Sequence, residues 1–395
     1  MPGNSGNGIK MNKLIVYLKN ILTFLSKKKE NEIQSLNGLR AFSISLIFIV
    51  HSWGFFVPFA SNEIVNSKIS EFFFNATSGV DLFLILSGFL ISLGLKKEFL
   101  QNGRIDFKLF FKKRILRIFP AYYFFLLISV IIFIRYNVPF QGTGLMVDFF
   151  YLSNYLPGQL PHTWSLSLEE QFYLLFPFIA HFFLFQISPQ KRMYSLLLLY
   201  LVPGIIRILI FSGQELNVDE YAARIYKPAH TRMDAIVTGI LLMEFYTEKS
   251  MQIKTFSSRL AFFPVFAISL VFLYFGHIHN AFQLPLLKGI FRYNFINIGY
   301  GLIFLLALGN NPLSSLFSLP VFRPIARLSY TMYLWNFILG GIGAKFAFGL
   351  KLAPFQWSMV IYAYFTVFVS ITLLSVIPFG LIEYPFLKKK ETLVN

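Results

Sequence analysis

The sequence predicts an all-α protein of the membrane, a polytopic bundle of about ten transmembrane helices, and three observations predict it. First, hydrophobic residues make up 56% of 395 positions and charged residues only 13%, about half the charge of an ordinary soluble domain. Mean hydropathy is +0.61. Second, apolar runs long enough to cross a hydrocarbon core of ~30 Å recur along the chain, at 41–56, 80–95, 121–134, 260–275 and 357–381. Third, most of the 35 Lys and Arg fall in alternate connecting segments. Under the positive-inside rule that asymmetry assigns both termini to the cytoplasm.

The elements follow in order. Residues 1–10 are rich in Gly and Asn and read as disordered. Leu14, Leu18, Ile21, Leu22 and Leu25 then share one helical face, too interrupted to span, and read as an interfacial amphipathic helix with Lys27, Lys28 and Lys29 among anionic headgroups. Spans are expected at about 38–58, 79–95, 119–137, 165–186, 194–212, 233–247, 259–276, 293–309, 328–348 and 358–382. The longest inner loop, 96–117, holds eight basic residues. Two outer loops stand out, 138–163 and 213–232, the second with Glu215, Asp219 and Glu220 followed by Arg224, Lys227 and Arg232. The expected organisation is residues 1–35 as tail and interfacial helix, 36–386 as the membrane domain and 387–395 as a basic cytoplasmic tail. No internal repeat is visible, and no soluble catalytic domain is expected after the last span.

Composition excludes several chemistries. Without cysteine there is no disulfide, thiolate metal site or cysteine nucleophile. The six His are scattered and form no HExxH pattern, so no metal site is expected. Walker, GxGxxG and GxSxG motifs are absent from the sequence. The formal charge of +17 orients the chain in the bilayer and does not point to nucleic acid.

Five constellations carry the chemistry. Arg40 and His51 lie eleven residues apart, which is three helical turns plus about 20°, so both occupy one face about 16 Å apart along the axis. An intramembrane His faces protein or a wet cavity and marks function by default; a His bonded to a neighbouring helix, with Arg40 as a headgroup anchor, would leave the same pattern. Arg114 and Arg117 are three apart and project together, as guanidinium forks suited to phosphate oxygens, although basic residues flank most cytoplasmic span ends. In GVDLFLILSGFLIS, Ser87-Gly88 allows close helix approach, and Asp81 needs a partner or water. In HTWSLSLEEQFYLLFP, Trp164 reads as an outer-interface anchor, with Glu169 about 8 Å deeper at a depth matching His51. That pairing predicts an acid-base couple of Glu169 and His51. Arg232 and Asp234 open the sixth span as an ion pair or an acceptor-binding pair.

These segments together resemble the acyltransferase-3 family of bacterial membrane proteins, which O-acylate cell-surface carbohydrates and related acceptors. The resemblance rests on GLRAFSISLIFIVH, GVDLFLILSGFLIS, RILRIFPAYY, HTWSLSLEEQFYLLFP, TRMDAIVTGILL, LSYTMYLW and IEYP, in family order over about 36–386. It implies a ten-helix fold and an acyl-CoA donor, usually acetyl-CoA, with no tightly bound cofactor. It implies His51 as base or acyl relay and Arg40, Arg114 and Arg117 as ligands of the donor phosphates. Family members often carry His after the LYLW segment, where this chain has Asn336. An amide exchanges no proton near neutral pH, so a relay through that second imidazole is not expected, and Asn336→His is expected to change little. Fused SGNH hydrolase-like domains of some members are not expected here, which implies delivery to the acceptor directly or to a separate partner.

The expected protein is therefore an O-acyltransferase of the bacterial cytoplasmic membrane. Its partners are acyl-CoA, a carbohydrate or lipid-linked sugar acceptor and membrane lipids, with no nucleic acid. His51 and Glu169 are the expected catalytic pair, and Trp164, Asp81, Arg232 and Asp234 the expected acceptor-binding residues. The rival is a proton-coupled carrier, since intramembrane His and acidic residues also build proton relays; the inverted or parallel repeat such a carrier would show is not seen.

Overall fold

A computed structural model describes residues 5–30, 32–56, 67–211, 216–248, 258–277, 286–349 and 357–393. Among them there is no strand. The principal helices are α1 (Ser5–Ser26), α2 (Ser35–Phe56), α3 (Lys68–Asn75), α4 (Gly79–Asn102), α5 (Phe107–Arg135), α6 (Gly142–Phe149), α7 (Thr163–Phe182), α8 (Pro189–Phe211), α9 (Ala229–Glu248), α10 (Arg259–His277), α11 (Leu286–Ala307), α12 (Phe322–Gly349), α13 (Trp357–Leu374) and α14 (Tyr384–Glu391).

Eight helical segments among the described residues are long and apolar enough to cross a membrane. The two expected spans outside that set, 233–247 and 328–348, are both helical, as α9 and α12. Helix α9 carries the charges Arg232, Asp234, Glu244 and Glu248; α12 carries Arg323, Arg327 and Lys345, and the stretch between the last two is diluted by Ser, Tyr, Thr, Asn and Gly. Most of these charges are consumed by partners inside the protein. Glu244 and Glu248 take Lys96 of α4 and Arg192 of α8 at 2.8–3.0 Å. Hydropathy measures the helix alone, whereas insertion in a bundle depends on what each polar group meets.

Helix α9 lies at the centre, packed by α4, α8 and α11, while α2 packs on α12 and α4. The α4–α9 crossing depends on two glycines. A Cβ at Gly88 would run into the Ile236 carbonyl, and one at Gly239 into the Ile85 carbonyl. The small residue flagged at Gly88 thus serves close helix approach.

The amino-terminal segment differs from its expectation in two respects. Residues 5–10 are already helical. The apolar face of α1 is also divided: Ile21 and Leu25 are buried, whereas Leu14, Leu18 and Leu22 are exposed. Tyr17 donates to the Gly380 carbonyl at 2.6 Å. Arg323 donates to the Ser26 carbonyl at 2.8 Å and Arg327 to those of Phe24 and Lys27, so two guanidinium groups close the negative end of the helix. Glu32 follows, 3.5 Å from both arginines. Burial pushes its carboxyl up, but the Lys29 N–H, the Asn37 amide and the two guanidinium groups outweigh that and hold it below the usual range.

The loop 138–163, expected on the outer side, contains α6 and is organised by Asp148, buried and accepting from Gln159 N–H, Leu160 N–H and the Thr163 hydroxyl at 2.7–2.9 Å. In the loop 213–232, Asn217 and Glu220 form a reciprocal cap. Glu215 and the end of the first expected span at 57–58 lie outside the described residues.

Candidate active site

Two helices bring the basic residues together. Arg40 sits in the second turn of α2; its Nε is buried without a hydrogen-bond partner. Arg114 and Arg117 stand one turn apart on α5, with the Arg114 guanidinium 4.9 Å from the Tyr173 ring centroid and 5.6 Å from that of Phe110. Helix α7 contributes Glu169 and Tyr173, and α4 contributes Ser87. Arg40, Arg114, Arg117, Ser87, Glu169 and Tyr173 line one cavity of about 60 Å³. Among the described residues none of these arginines is in an ion pair. Two carboxylates, Glu169 and Glu170, line the same cavity, so three cations face two acids there and the balance of charge is positive, which favours an anion.

A second, narrower cavity of about 30 Å³ shares Phe83, Leu166, Glu169 and Tyr330 with the first and adds Ile47, Ser165 and Tyr333. Ile47 lies one helical turn before His51 on α2. The two cavities therefore line up along α2 from Arg40 toward His51. Beyond Ile47, the Tyr333 hydroxyl accepts from Ser165 Oγ (2.5 Å) and donates to the His162 carbonyl (2.8 Å).

His51 is held by α12. Its Nδ1 is 2.8 Å from Asn336 Oδ1, and its ring stacks on Phe337 with centroids 4.6 Å apart. The Asn336 amide nitrogen donates to the Tyr333 carbonyl, so Oδ1 faces the imidazole and can only accept. Nδ1 must therefore carry the proton, which leaves the Nε2 lone pair available as a base. Asn336, noted in the sequence only as an absent second imidazole, is the group that orients His51.

A second imidazole is supplied instead by His162. It packs on the same Phe337 ring at 5.1 Å, and its Nε2 lies 3.2 Å from the Leu334 carbonyl. That bond puts the proton on Nε2 and leaves Nδ1 as a buried, unpartnered acceptor. The sign in the sequence is a His opening HTWSLSLEEQ, two residues before Trp164.

The expected Glu169–His51 couple does not form. Glu169 accepts from the hydroxyls of Ser87 and Tyr173, while the His51 bond goes to Asn336. The reason is depth. Trp164 is buried (5% exposed) rather than anchored at a surface, and His162, at the start of α7, already sits level with His51. Seven residues further, Glu169 is about 10 Å deeper, toward Arg40.

The expected acceptor residues form a separate cluster. Arg232 and Asp234 do not pair with each other. Arg232 bonds Asp81 at 2.6 Å and Arg207 bonds Asp234 at 2.9 Å. The Arg232 guanidinium is enclosed by Tyr293 (3.9 Å), Tyr226 (5.1 Å) and Trp164 (5.5 Å). Residues two apart on a helix point to different sides, so each takes a partner from a different neighbour. Trp164, Asp81, Arg232 and Asp234 are all buried, joined in a network that ties α4, α7, α8 and α9 together. Arg207, in the middle of α8, was not singled out from the sequence.

A family model described as an acyltransferase domain matches residues 33–379. The chain belongs to the acyltransferase-3 family. Among its relatives, the O-acetyltransferase OatA of Staphylococcus aureus strain NCTC 8325 / PS 47 is 25% identical over 382 residues, covering 90% of this chain and 57% of the relative. The putative O-acetyltransferase SACOL0978 of Staphylococcus aureus strain COL is 25% identical over 402 residues, covering 94% of this chain and 60% of the relative. The chain thus spans well under two thirds of the length of these relatives. No solved structure matches it. Membership in the acyltransferase-3 family favours the enzyme over the carrier that the intramembrane His and acids also suggested.

Proposed function

We propose that the protein is a membrane O-acetyltransferase that takes acetyl groups from acetyl-CoA on the cytoplasmic side and delivers them to a hydroxyl of a cell-surface carbohydrate or lipid-linked sugar. The observation that carries this reading is the line from three arginines without ion-pair partners to an imidazole with a free Nε2. Arg40, Arg114 and Arg117 bind the phosphates of the donor, as charge-assisted contacts. The pantetheine arm follows the line of Phe83, Glu169, Ile47 and Tyr333, and the thioester comes to His51. A span of about 16 Å from Arg40 to His51 suits an extended arm. The narrow section between them widens as the arm enters.

The chemistry is a general-base acyl transfer. The acceptor hydroxyl gives its proton to His51 Nε2 as its oxygen bonds the thioester carbonyl carbon. The C–S bond breaks, and the imidazolium returns the proton to the departing CoA sulfur. Asn336 Oδ1 holds Nδ1–H throughout, fixing the tautomer and accepting from the imidazolium. Glu169 lines the donor path and offsets part of the arginine charge, rather than acting on His51. The cluster of Asp81, Trp164, Arg232 and Asp234 supports the bundle. The same reading carries ten spans, both termini in the cytoplasm and residence in a bacterial cytoplasmic membrane.

The deciding experiment is thiol release. Purified protein in detergent or nanodiscs, given acetyl-CoA and a polysaccharide or hydroxyl acceptor, should release free CoA in step with acetyl ester formation. Absence of both products with folded protein and a panel of sugar acceptors would count against the reading.

A further inference from the structure

The carboxy-terminal segment, expected as a basic tail that sets topology, is folded onto the arginine helix. The last span ends in a widened turn, Phe379–Glu383, after which Pro385 starts α14. Such one-turn widenings recur at functional sites. The turn and α14 both pack on α5, the helix of Arg114 and Arg117. Glu383 is buried, accepts from the Thr331 hydroxyl, and lies within electrostatic reach of Arg117 and Lys390.

The three lysines of the tail differ. Lys390 comes seven residues after Glu383, two turns on and on the same face, whereas Lys388 and Lys389 point elsewhere. Lys388 and Lys389 are exposed, and the Lys388 ammonium lies 5.5 Å from its own helix's Tyr384 ring. Lys390 is half-buried and has no ion-pair partner among the described residues. Its charged neighbours are the cations Arg117, Arg114, Lys29 and Lys113 and one acid, the buried Glu383. The acid next in sequence, Glu391, is taken by Lys29 at 2.8 Å. Five cations against the one acid Glu383, with Glu391 engaged elsewhere, leave an excess of positive charge that a bound anion would offset.

The geometry points to Lys390 as a further donor-binding residue: α14 packs on the helix of Arg114 and Arg117 and carries Lys390 on the face of Glu383, from which its ammonium would meet the phosphates at the nucleotide end of acyl-CoA. This inference rests on the donor reading above and extends it to the IEYP motif and the tail. The motif's Glu383 and Pro385 set the turn, and the turn aims Lys390. Lys388 and Lys389 remain free to face headgroups, so the two roles of a basic tail fall on different residues.

The test is CoA binding by the purified full-length protein, measured by calorimetry with CoA itself as the probe. Lys390→Gln removes the charge and keeps a polar end on a side chain one atom shorter; Lys388→Gln/Lys389→Gln removes twice the charge from the same helix. Melting curves check that both variants are folded. Lys390→Gln should weaken CoA binding at least about tenfold, the loss of one charge-assisted contact, while the double variant stays within about twofold of the parent. Equal, small effects in both variants, with the parent binding CoA, would overturn the role of Lys390 and leave the donor reading standing. A parent that binds no CoA would overturn the donor reading and this inference with it.

Discussion

Asn336 Oδ1 lies 2.8 Å from His51 Nδ1, and because the Asn336 amide nitrogen is committed to the Tyr333 carbonyl, this one contact fixes which imidazole nitrogen is basic. The arrangement assigns a positioning role to a residue that touches no substrate. Asn336→Ala should lower kcat by about 10- to 100-fold, the usual cost of removing an orienting partner, with little change in donor KM. Asn336→Asp retains an acceptor at the same place and should recover much of the loss, with a shifted pH–rate profile. Asn336→His, which the sequence suggested would be innocuous, should be impaired unless its ring presents an acceptor toward His51. Equal activity in the Ala variant and the parent would reduce the contact to packing.

His51 itself should be indispensable to the chemical step. His51→Ala and His51→Asn should each reduce turnover by at least about 10²–10⁴, the range for a general base. Asn is the sharper replacement, because it keeps a hydrogen bond to Asn336 within reach while removing basicity near pH 7. CoA binding should survive in both. Near-normal turnover of the Asn variant would make His51 a structural hydrogen-bonder.

How far the sequence reached can be seen in particular residues. The arginines were legible because three-residue and eleven-residue spacings fix which side chains share a helix face, whatever the tertiary structure. The small residue at Gly88 was legible for a similar local reason. Glu169 was misjudged because its depth was counted from Trp164 as a surface anchor, and only the packed bundle reveals that Trp164 is enclosed with Arg232 and Tyr226. The partner choices of Arg232 and Asp234 depended on Asp81 and Arg207, which lie far off in sequence. Asn336, 285 residues from His51 in the chain, reaches it by a hydrogen bond, and His162, 111 residues away, meets it across the shared Phe337 ring. Such pairings are set by how helices cross, and a periodicity argument on one chain segment does not contain them.

The α4–α9 crossing predicts a stability effect separable from catalysis. Gly239→Ala would drive a methyl group into the Ile85 carbonyl, and Gly88→Ala into that of Ile236; in each case the obstacle is backbone, which cannot rotate away. Each substitution should therefore lower the melting temperature, by a loss of about 1–3 kcal/mol typical of overpacking. Gly94→Ala on the same α4 helix, where nothing lies near the added carbon, should be neutral or slightly stabilising. Thermal melts of the three variants in one detergent check the ranking, and a Gly239→Ala protein as stable as the parent would show that the crossing can open.

The arginine cavity predicts a dissociation between binding and chemistry. Arg114→Ala/Arg117→Ala removes two of the three unpaired guanidinium groups, and at about 1.5–3 kcal/mol for each charge-assisted contact donor affinity should fall by well over tenfold. Arg40→Ala should act in the same direction. The first two arginines lie on α5 and the third on α2, none of them in an ion pair among the described residues and Arg114 over the Tyr173 ring, so their loss removes no ion pair from the protein and the variants should fold. Lys in place of both, which keeps the charge but not the planar fork, should recover only part of the affinity. The opposite pattern is expected of His51→Asn: CoA bound, acetyl not transferred. Measuring CoA binding and acetyl transfer side by side in the two sets decides whether the cavity and the imidazole are successive stations of one path. If the arginine variants bind CoA normally but lose activity, the donor enters elsewhere, and the alignment along α2 has a structural cause only.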